Sequence, residues 1–386
     1  CSFICFICYL KMVKSIEYLN VNVLSTGCTN PNGCAFVYPL IRFQSNLLDA
    51  GLRIKFVMDK EDAVRNCDVL LIENKFFSAR WATQHDSVLE ELFWLKDKVG
   101  ALIYVDITDS SGWDHADALP IVSAYLKNQL LVDRTRYLQP MSGYRPFTDY
   151  YHTKFAVEDN EPNYSCAILD PALLRKLGVG WNSGFADWSL YGPMLMALYN
   201  RSNWKSLLME PKGWTSPSTS RINNISCRFG VKYARETVAW QRKKINELMK
   251  EQLGTQKLSR RSYFKELRNS KLIVSPFGLG EITLKDFEVF ITGGLLYKPD
   301  MSHMETWSNL FVDGETMVAH RWDLNDFQEK IDMIIGEYDN YVNIAYEGQR
   351  RYKESLIGKK AGQSFARHLH ELLTRDWEKP WMSCDR

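Results

Sequence analysis

The sequence has no apolar run long enough to cross a bilayer, which takes about 20 residues. The most apolar stretch, "CSFICFICYL" at residues 1–10, is too short. No basic segment precedes it and no small-residue cleavage site follows it, as a signal peptide would require. We interpret Met12 as the true start and residues 1–11 as a segment outside the domains. The expected location is cytoplasmic.

The sequence also lacks a strong net charge and a regular cysteine pattern. Its formal net charge is only +2, which gives no global field to attract nucleic acid. The nine cysteines are irregularly spaced, and the Cys5–Cys8 pair has no second pair at a zinc-like distance. We therefore expect free thiols in a reducing compartment and no metal site.

Internal repeats and a dinucleotide fingerprint are missing as well. The glycine loop "TGCTNPNGC" at 26–34 does not contain GxGxxG, which argues against a nicotinamide-type dinucleotide site. Aromatic side chains, in contrast, are abundant: they make up 13% of the residues and include 12 Trp. Such side chains either stack on sugar rings or fill a large core, and we favour the core.

Strand and helix patterns alternate along the first half of the chain, which predicts an α/β fold with a parallel sheet covered on both faces. The segments 119–138 and 164–179 could continue the alternation. The patterns predict strands at 21–27, 52–58, 67–73 and 100–109 and helices at 35–51, 86–98 and 186–200.

The alternation resumes after residues 211–225, a stretch rich in Pro, Ser, Thr and Asn that we interpret as a linker. We place the domains at 12–210 and 226–365, with a helical tail at 366–386 that packs back on the first domain. Asp323 is expected to cap a helix with a buried stripe. The predicted elements are strands at 225–230, 271–275, 294–299 and 315–320, helices at 232–252, 262–270, 283–292 and 323–335, and a mostly helical segment at 339–377.

The stretch "KLIVSPFGLGEITLKDFEVFITGGLLYKPD", residues 271–300, leads from a strand through a glycine loop into a helix. Gly278 and Gly280 permit a tight turn and a close approach of the backbone to a ligand. A helix that begins near Thr283 would point its free N–H groups and its positive end at this loop, an arrangement that binds phosphate.

The side chains of that helix start share one stripe at about 100° per residue: Glu281, Lys285 and Glu288. A lysine beside a helix N-terminus suits a diphosphate, and a carboxylate about one turn deeper suits the hydroxyls of a ribose. A solvated face with a Glu–Lys pair is the alternative interpretation of the same stripe.

Residues 257–350, about a quarter of the chain, resemble the C-terminal domain of GT-B glycosyltransferases, specifically the group 1-like and exostosin-like families. The motifs that carry the resemblance are "SPFGLGE", "KDFE", "GGLLYKP" and "NLFVDGETMVAHRWDLNDFQEKIDMII". The first half shares only a compatible Rossmann-like pattern. The resemblance implies a GT-B-like fold, in which two Rossmann-like domains with parallel sheets face each other across a cleft. The first domain would hold the acceptor and the second a nucleotide-sugar donor.

The resemblance also implies roles for single residues. In these families the carboxylate at the position of Glu288 holds the donor ribose, and the basic residue at the position of Lys285 contacts phosphate. The acids Glu281 and Glu288 lie seven residues apart, whereas the retaining motif places them eight apart, so the stereochemistry stays open. The candidate donor-binding residues are Arg228, Lys232, Ser275, Gly278, Gly280, Glu281, Thr283, Lys285 and Glu288.

The segment "VDITDSSGWDH" at 105–115 follows a strand end, where open α/β sheets build sites. An inverting transferase needs a base for the acceptor hydroxyl, and Asp or His can serve. Asp109 is the first candidate and His115 the second, although turn and cap roles would also explain such aspartates.

These features together predict a metal-independent glycosyltransferase that moves a hexosyl or pentosyl group from a UDP or GDP sugar to a hydroxyl of a glycan or lipid-linked acceptor. No other cofactor and no nucleic acid is expected. The alternatives are a nucleotide-sugar epimerase of the same fold and a non-catalytic protein that binds a nucleotide or a partner. Six cations between Lys257 and Lys271 form a solvated helix face or, as a second possibility, a peripheral contact with anionic lipid.

Overall fold

The computed structural model describes residues 18–112, 115–161, 164–165, 167–250 and 257–377. The expectations for residues 1–11, for Met12 and for the end of the tail at 378–386 therefore lie outside the described residues. Within the described ranges, no helix combines the length and the apolar character needed to cross a bilayer.

Two parallel sheets organise the chain. The strands are β1 (Leu19–Leu24), β2 (Leu52–Val57), β3 (Val69–Glu73), β4 (Ala101–Asp106), β5 (Ala124–Lys127), β6 (Gln129–Leu131), β7 (Leu177–Val179), β8 (Asn223–Ser226), β9 (Ser270–Val274), β10 (Leu295–Pro299), β11 (Met304–Thr306) and β12 (Val318–His320). The first sheet has six strands in the order β2-β1-β3-β4-β5-β7, and the second has four in the order β12-β10-β9-β8. Every strand pair in both sheets is parallel.

Helices connect these strands, as parallel pairing requires. They are α1 (Pro31–Arg42), α2 (Gln44–Asp49), α3 (Lys60–Ala63), α4 (Arg80–Thr83), α5 (His85–Lys98), α6 (Pro146–Phe155), α7 (Gly192–Ser202), α8 (Glu236–Met249), α9 (Arg260–Asn269), α10 (Leu284–Thr292), α11 (Phe327–Gly336), α12 (Tyr338–Leu356) and α13 (Gly358–Thr374). The predicted fold class, α/β with two Rossmann-like parallel sheets in a GT-B-like layout, is confirmed by this topology.

Apolar side chains of both halves pack into one continuous cluster. Phe287 and Phe290 of α10 contact Tyr352 of α12. Gly184, from the first half, lies against the Phe287 ring so closely that a Cβ there would be 2.4 Å from it. A two-stranded antiparallel pair, β6 with β11, also joins the halves. The two sheets are therefore held in one relative position by core packing and by backbone pairing.

Several local predictions differ from the structure. The helix expected at 35–51 begins at Pro31 and is interrupted at Phe43, so it forms α1 and α2. Asp323 does not cap a helix: α11 begins at Phe327, and Asp323 instead bonds with Arg321 and Lys154. These two cations hold the carboxylate by charge-assisted bonds, and it also accepts a hydrogen bond from the backbone N of Asn325 at 3.2 Å, ahead of the N-cap position Asp326.

The predicted linker packs on the second half of the chain, and the last helix packs on the first half. Within 211–225, the buried Arg221 donates to the carbonyl oxygens of Leu267, Ser270 and Thr292, so this stretch packs on the second half. The last helix α13 lies against the first half, where Phe365 contacts Phe43.

Candidate functional site

The loop between β9 and α10 lies at the carboxyl end of the second sheet, and its last residues are fixed by a capping box. Thr283 and Asp286 bond to each other's backbone N–H groups at the start of α10. Asp286 also accepts from Ser275 Oγ at 2.6 Å and pairs with the fully buried Lys298 Nζ at 3.0 Å. Ser275 and Thr283, two candidate donor-binding residues, therefore shape the loop by holding Asp286.

The glycine part of this loop touches the first domain. A Cβ added at Gly280 would lie 1.6 Å from the carbonyl oxygen of Asp109, so the two backbones are in direct contact. Arg145 of the first domain donates to the Leu279 carbonyl oxygen. The structure thus brings the predicted base Asp109 and the predicted glycine loop together, as parallel sheets that meet at their carboxyl ends allow.

Glu281 joins the two domains from the same loop. Its carboxylate is fully buried and accepts from the backbone N of Ser111 at 3.0 Å and from Ser111 Oγ at 2.6 Å. His303 Nε2 lies 3.9 Å from Glu281 Oε1. Burial alone would raise the pKa of Glu281, but the His303 and Ser111 interactions outweigh it and lower this pKa. Glu281 is therefore an ionised interdomain acceptor.

Lys285 and Arg228 lie at the carboxyl ends of β9 and β8. The Lys285 ammonium donates to the carbonyl oxygen of Arg228, and also to that of Val274 at 3.1 Å. Burial lowers the pKa of Lys285 to about 8. Arg228 is half-buried and pairs with Glu266 at 2.9 Å. Two candidate phosphate ligands are thus adjacent, and one of them titrates near neutral pH.

Arg242 of α8 is a third cation at this place, and sequence reasoning missed it. It is buried, and its guanidinium donates to the carbonyl oxygens of Gly230, Pro276 and Phe277, so it holds the loops after β8 and β9 together. No carboxylate among the described residues forms an ion pair with Arg242. Nothing in the sequence distinguishes it from the surface cations around it, because only the fold buries this position.

Glu288 is buried on α10 and pairs with Arg260 of α9 at 3.0 Å. Burial raises the pKa of Glu288, against the opposing effects of Arg260 and a Tyr263 hydrogen bond. Arg260 also donates to the carbonyl oxygens of Leu190 at 2.8 Å and Ser189 at 2.8 Å. The carboxylate predicted to hold a ribose is thus connected through one arginine to the end of the first domain.

The remaining candidates lie in different surroundings. Asp109 is half-buried and accepts from Asn32 Nδ2 at 2.7 Å. His115 is buried, with its ring 4.1 Å from the Trp81 ring and its Nδ1 3.0 Å from the Tyr104 hydroxyl. Lys232 is exposed on the segment that precedes α8. Of the two predicted bases, the structure places Asp109 at the domain boundary and His115 among aromatic side chains.

Two buried acids at the ends of strands in the first sheet were missed. Glu73 ends β3 and accepts hydrogen bonds from Ser25 Oγ and, at 2.9 Å, from Thr26 Oγ1, and burial raises its pKa. Asp106 ends β4 and pairs with the buried Lys127 at 2.5 Å. Each of these acids is the last residue of an apolar run in the sequence, and this position is the signal by which they could have been found.

The carboxyl end of the second sheet gathers positive groups. The loops after β8 and β9, the side chains of Arg242 and Lys285 and the N-terminus of α10 meet there, and the backbone of Asp109 contacts Gly280 from the first sheet. Among the described residues, no group of three or more His, Cys, Asp or Glu side chains is arranged to hold a metal ion.

Comparisons with known proteins give likenesses at the level of structure only. No protein-family model and no curated protein matches the sequence. Anabaena HepE in complex with UDP-glucose aligns with a TM-score of 0.43 at 10% identity, over 91% of this chain and 99% of HepE. TarM aligns with a TM-score of 0.36 at 12% identity, over 80% of this chain and 55% of TarM.

A Listeria monocytogenes protein provisionally assigned as a UDP-N-acetylglucosamine 2-epimerase aligns with a TM-score of 0.37 at 10% identity, over 92% of this chain and 96% of its own. Since these TM-scores and identities are low, the function is inferred below from the residues of this chain.

Proposed function

We propose that this protein is a glycosyltransferase that binds a nucleoside diphosphate sugar at the carboxyl end of its second sheet. The observation that carries the proposal is the convergence of the Arg242 and Lys285 side chains on the loop that opens α10, beside the backbone of Arg228. Positive side chains and a helix N-terminus together stabilise a diphosphate without a metal ion.

The finer assignments are part of the same proposal. Arg228, Lys232 and Lys285 would offset the diphosphate charge, and Gly278 would let the phosphates approach the backbone. Glu288 would accept from the ribose hydroxyls, with Arg260 holding the carboxylate in place. In this proposal Ser275, Gly280, Glu281 and Thr283 shape the loop.

Asp109 is the proposed base for the acceptor hydroxyl, because it lies against Gly280 at the domain boundary. The acceptor would bind on the first domain. The contacts between the pocket and the bound substrates determine the sugar class, the nucleotide and the stereochemistry.

Thermal unfolding of the protein with UDP, GDP and their sugars tests the proposal. A ligand at 100 times its dissociation constant stabilises a protein by about 2.7 kcal/mol, and we expect one nucleotide family to do so. Lys285→Met should abolish the shift. Lys330→Met, which also removes a lysine that donates to a backbone carbonyl in the same domain, should keep it.

Turnover is measured separately, as release of the nucleoside diphosphate from the stabilising nucleotide sugar. Release that requires an added acceptor and is lost in Asp109→Asn supports transfer. An epimerised sugar in the absence of acceptor would favour the epimerase, and no stabilisation by any nucleotide in a well-folded protein would reject the donor site.

A further inference from the structure

The helix α7 carries apolar side chains that are not covered by the rest of the chain. Its start and its outer face expose Tyr191 by 52%, Met194 by 61% and Leu198 by 45%, at spacings of three and four residues that place them on one stripe. Trp204, just beyond the helix, is exposed by 66%. Isolated exposed apolar residues are ordinary, but four large ones in one short segment form a patch.

A stripe of cations on α9 lies beside this patch. Arg261, Lys265 and Arg268 are spaced by four and three residues and therefore share one face of the helix. Arg268 lines the same cavity, of about 530 Å³, as Tyr191 and Met194. The cationic stripe and the apolar stripe are thus two parts of one surface.

The charge of this surface is predominantly positive. Between residues 188 and 209 there is no acidic residue, while Arg201, Lys205 and, slightly further along, Lys212 are exposed. The acids that border the cavity are engaged elsewhere: Asp187 is buried, and Glu210 pairs with Arg42.

The single acid of α9 also points away from this surface. Glu266 binds Arg228 and Ser226 on the side of the second sheet. Within the part of the chain that the structure describes, the cations that surround the apolar stripe form no ion pair with a neighbouring carboxylate, which leaves a positive field around the stripe.

We propose that this surface, made of α7, residues 203–213 and the outer face of α9, binds a bilayer that contains anionic phospholipids. The apolar stripe enters the interfacial region, where Trp and Tyr are favoured, and the flanking cations bind the phosphate-bearing headgroups. Arg260, the partner of Glu288, lies at the start of α9, so the bound membrane is next to the domain boundary.

Co-sedimentation of the full chain with vesicles tests this proposal. We expect binding to vesicles of equal parts phosphatidylcholine and phosphatidylglycerol, weakened by added salt, and far weaker binding to pure phosphatidylcholine. The double variant Lys205→Gln, Lys265→Gln should bind about 25-fold more weakly, since each cation near an anionic surface contributes about fivefold. The matched control Lys359→Gln, Lys360→Gln, on exposed lysines of α13, should bind like the wild type.

A second pair of variants tests the apolar stripe. Met194→Ser with Leu198→Ser should weaken vesicle binding about tenfold. Met58→Ser changes the most exposed methionine among the described residues, at 83%, which lies outside this surface, and it should have no effect. Melting temperatures check that each variant is folded.

Three results would overturn the proposal: no binding of the wild type to anionic vesicles, binding that neither pair weakens, or a dimer that disperses in the Met194→Ser, Leu198→Ser variant and shows that a second copy covers this face. Because vesicle binding is measured without nucleotide, its failure leaves the proposed donor site untouched.

Discussion

Replacing Gly280 by alanine tests the contact that brings the two domains together. The added methyl group would lie 1.6 Å from the Asp109 carbonyl oxygen and 2.2 Å from its carbonyl carbon. Both are backbone atoms, so no change of side-chain rotamer can relieve the overlap, and either the loop or the strand end must move. Insertion of a methyl group into a well-packed site costs about 1–3 kcal/mol.

The second domain spans roughly 150 residues, for which each kcal/mol lowers the melting temperature by about 2–4 °C. Scanning calorimetry and urea unfolding of Gly280→Ala should therefore show a clear loss of stability. Gly336→Ala is the matched control, because a Cβ there meets no atom within 4 Å and alanine is the better helix former. We expect that control to be as stable as the wild type or slightly more stable.

The double variant Gly280→Ala, Asp109→Ala makes the test more specific. Asp109→Ala removes the carboxylate but leaves the backbone carbonyl oxygen in place, so the double variant should be no more stable than Gly280→Ala. Equal stability of Gly280→Ala and Gly336→Ala, or full rescue by Asp109→Ala, would refute the backbone contact between the two loops.

Four further outcomes are expected. Lys127→Met should cost about 3–5 kcal/mol in urea unfolding because it leaves Asp106 buried without its cation, and Lys127→Met with Asp106→Leu should recover much of that loss. The pKa of Asp106 is lowered, because its attraction to Lys127 outweighs the effect of burial. Asp106 therefore stabilises the wild type above about pH 4, the pKa of an unfolded aspartate, and this stabilisation is lost as the pH falls further. Acid titration of the unfolding free energy measures the loss. Nucleotide affinity should fall by up to about tenfold per pH unit above pH 8, where Lys285 loses its proton, and calorimetric titration of Lys285→Arg should show a flat profile over the same range. Glu288→Gln should weaken nucleoside binding more than binding of inorganic diphosphate, whereas equal losses would point to a purely structural pair with Arg260.

The fold could be predicted in outline because its signals are local. Apolar runs of strand length that alternate with amphipathic helices lead to parallel sheets almost regardless of detail. The pairing of β6 with β11 could not be predicted, because Gln129 and Thr306 are far apart in sequence and neither strand carries a turn signal that links it to the other. Only the approach of the two domains creates that pair.

The candidate site could be predicted only as a local segment. Residues 275–288 combine glycines, a cap and a lysine, and the structure places them between β9 and α10, at the carboxyl end of the second sheet. The partners of that segment come from elsewhere: Ser111 bonds with Glu281, and Arg260 with Glu288. These contacts join residues 170 and 28 positions apart, distances at which no periodicity connects them.

The sequence by itself determined the strand–helix order, the parallel sheets and the glycine loop that opens α10, because each depends on residues within one or two turns of each other. Tertiary structure alone decided that Arg242 is buried beside this loop, that Gly280 touches Asp109, and that the apolar face of α7 lies next to Arg268 of α9. The physical reason is range: hydrophobic periodicity and helix capping act along the chain, whereas burial, ion pairing and backbone contact between domains depend on how distant segments pack.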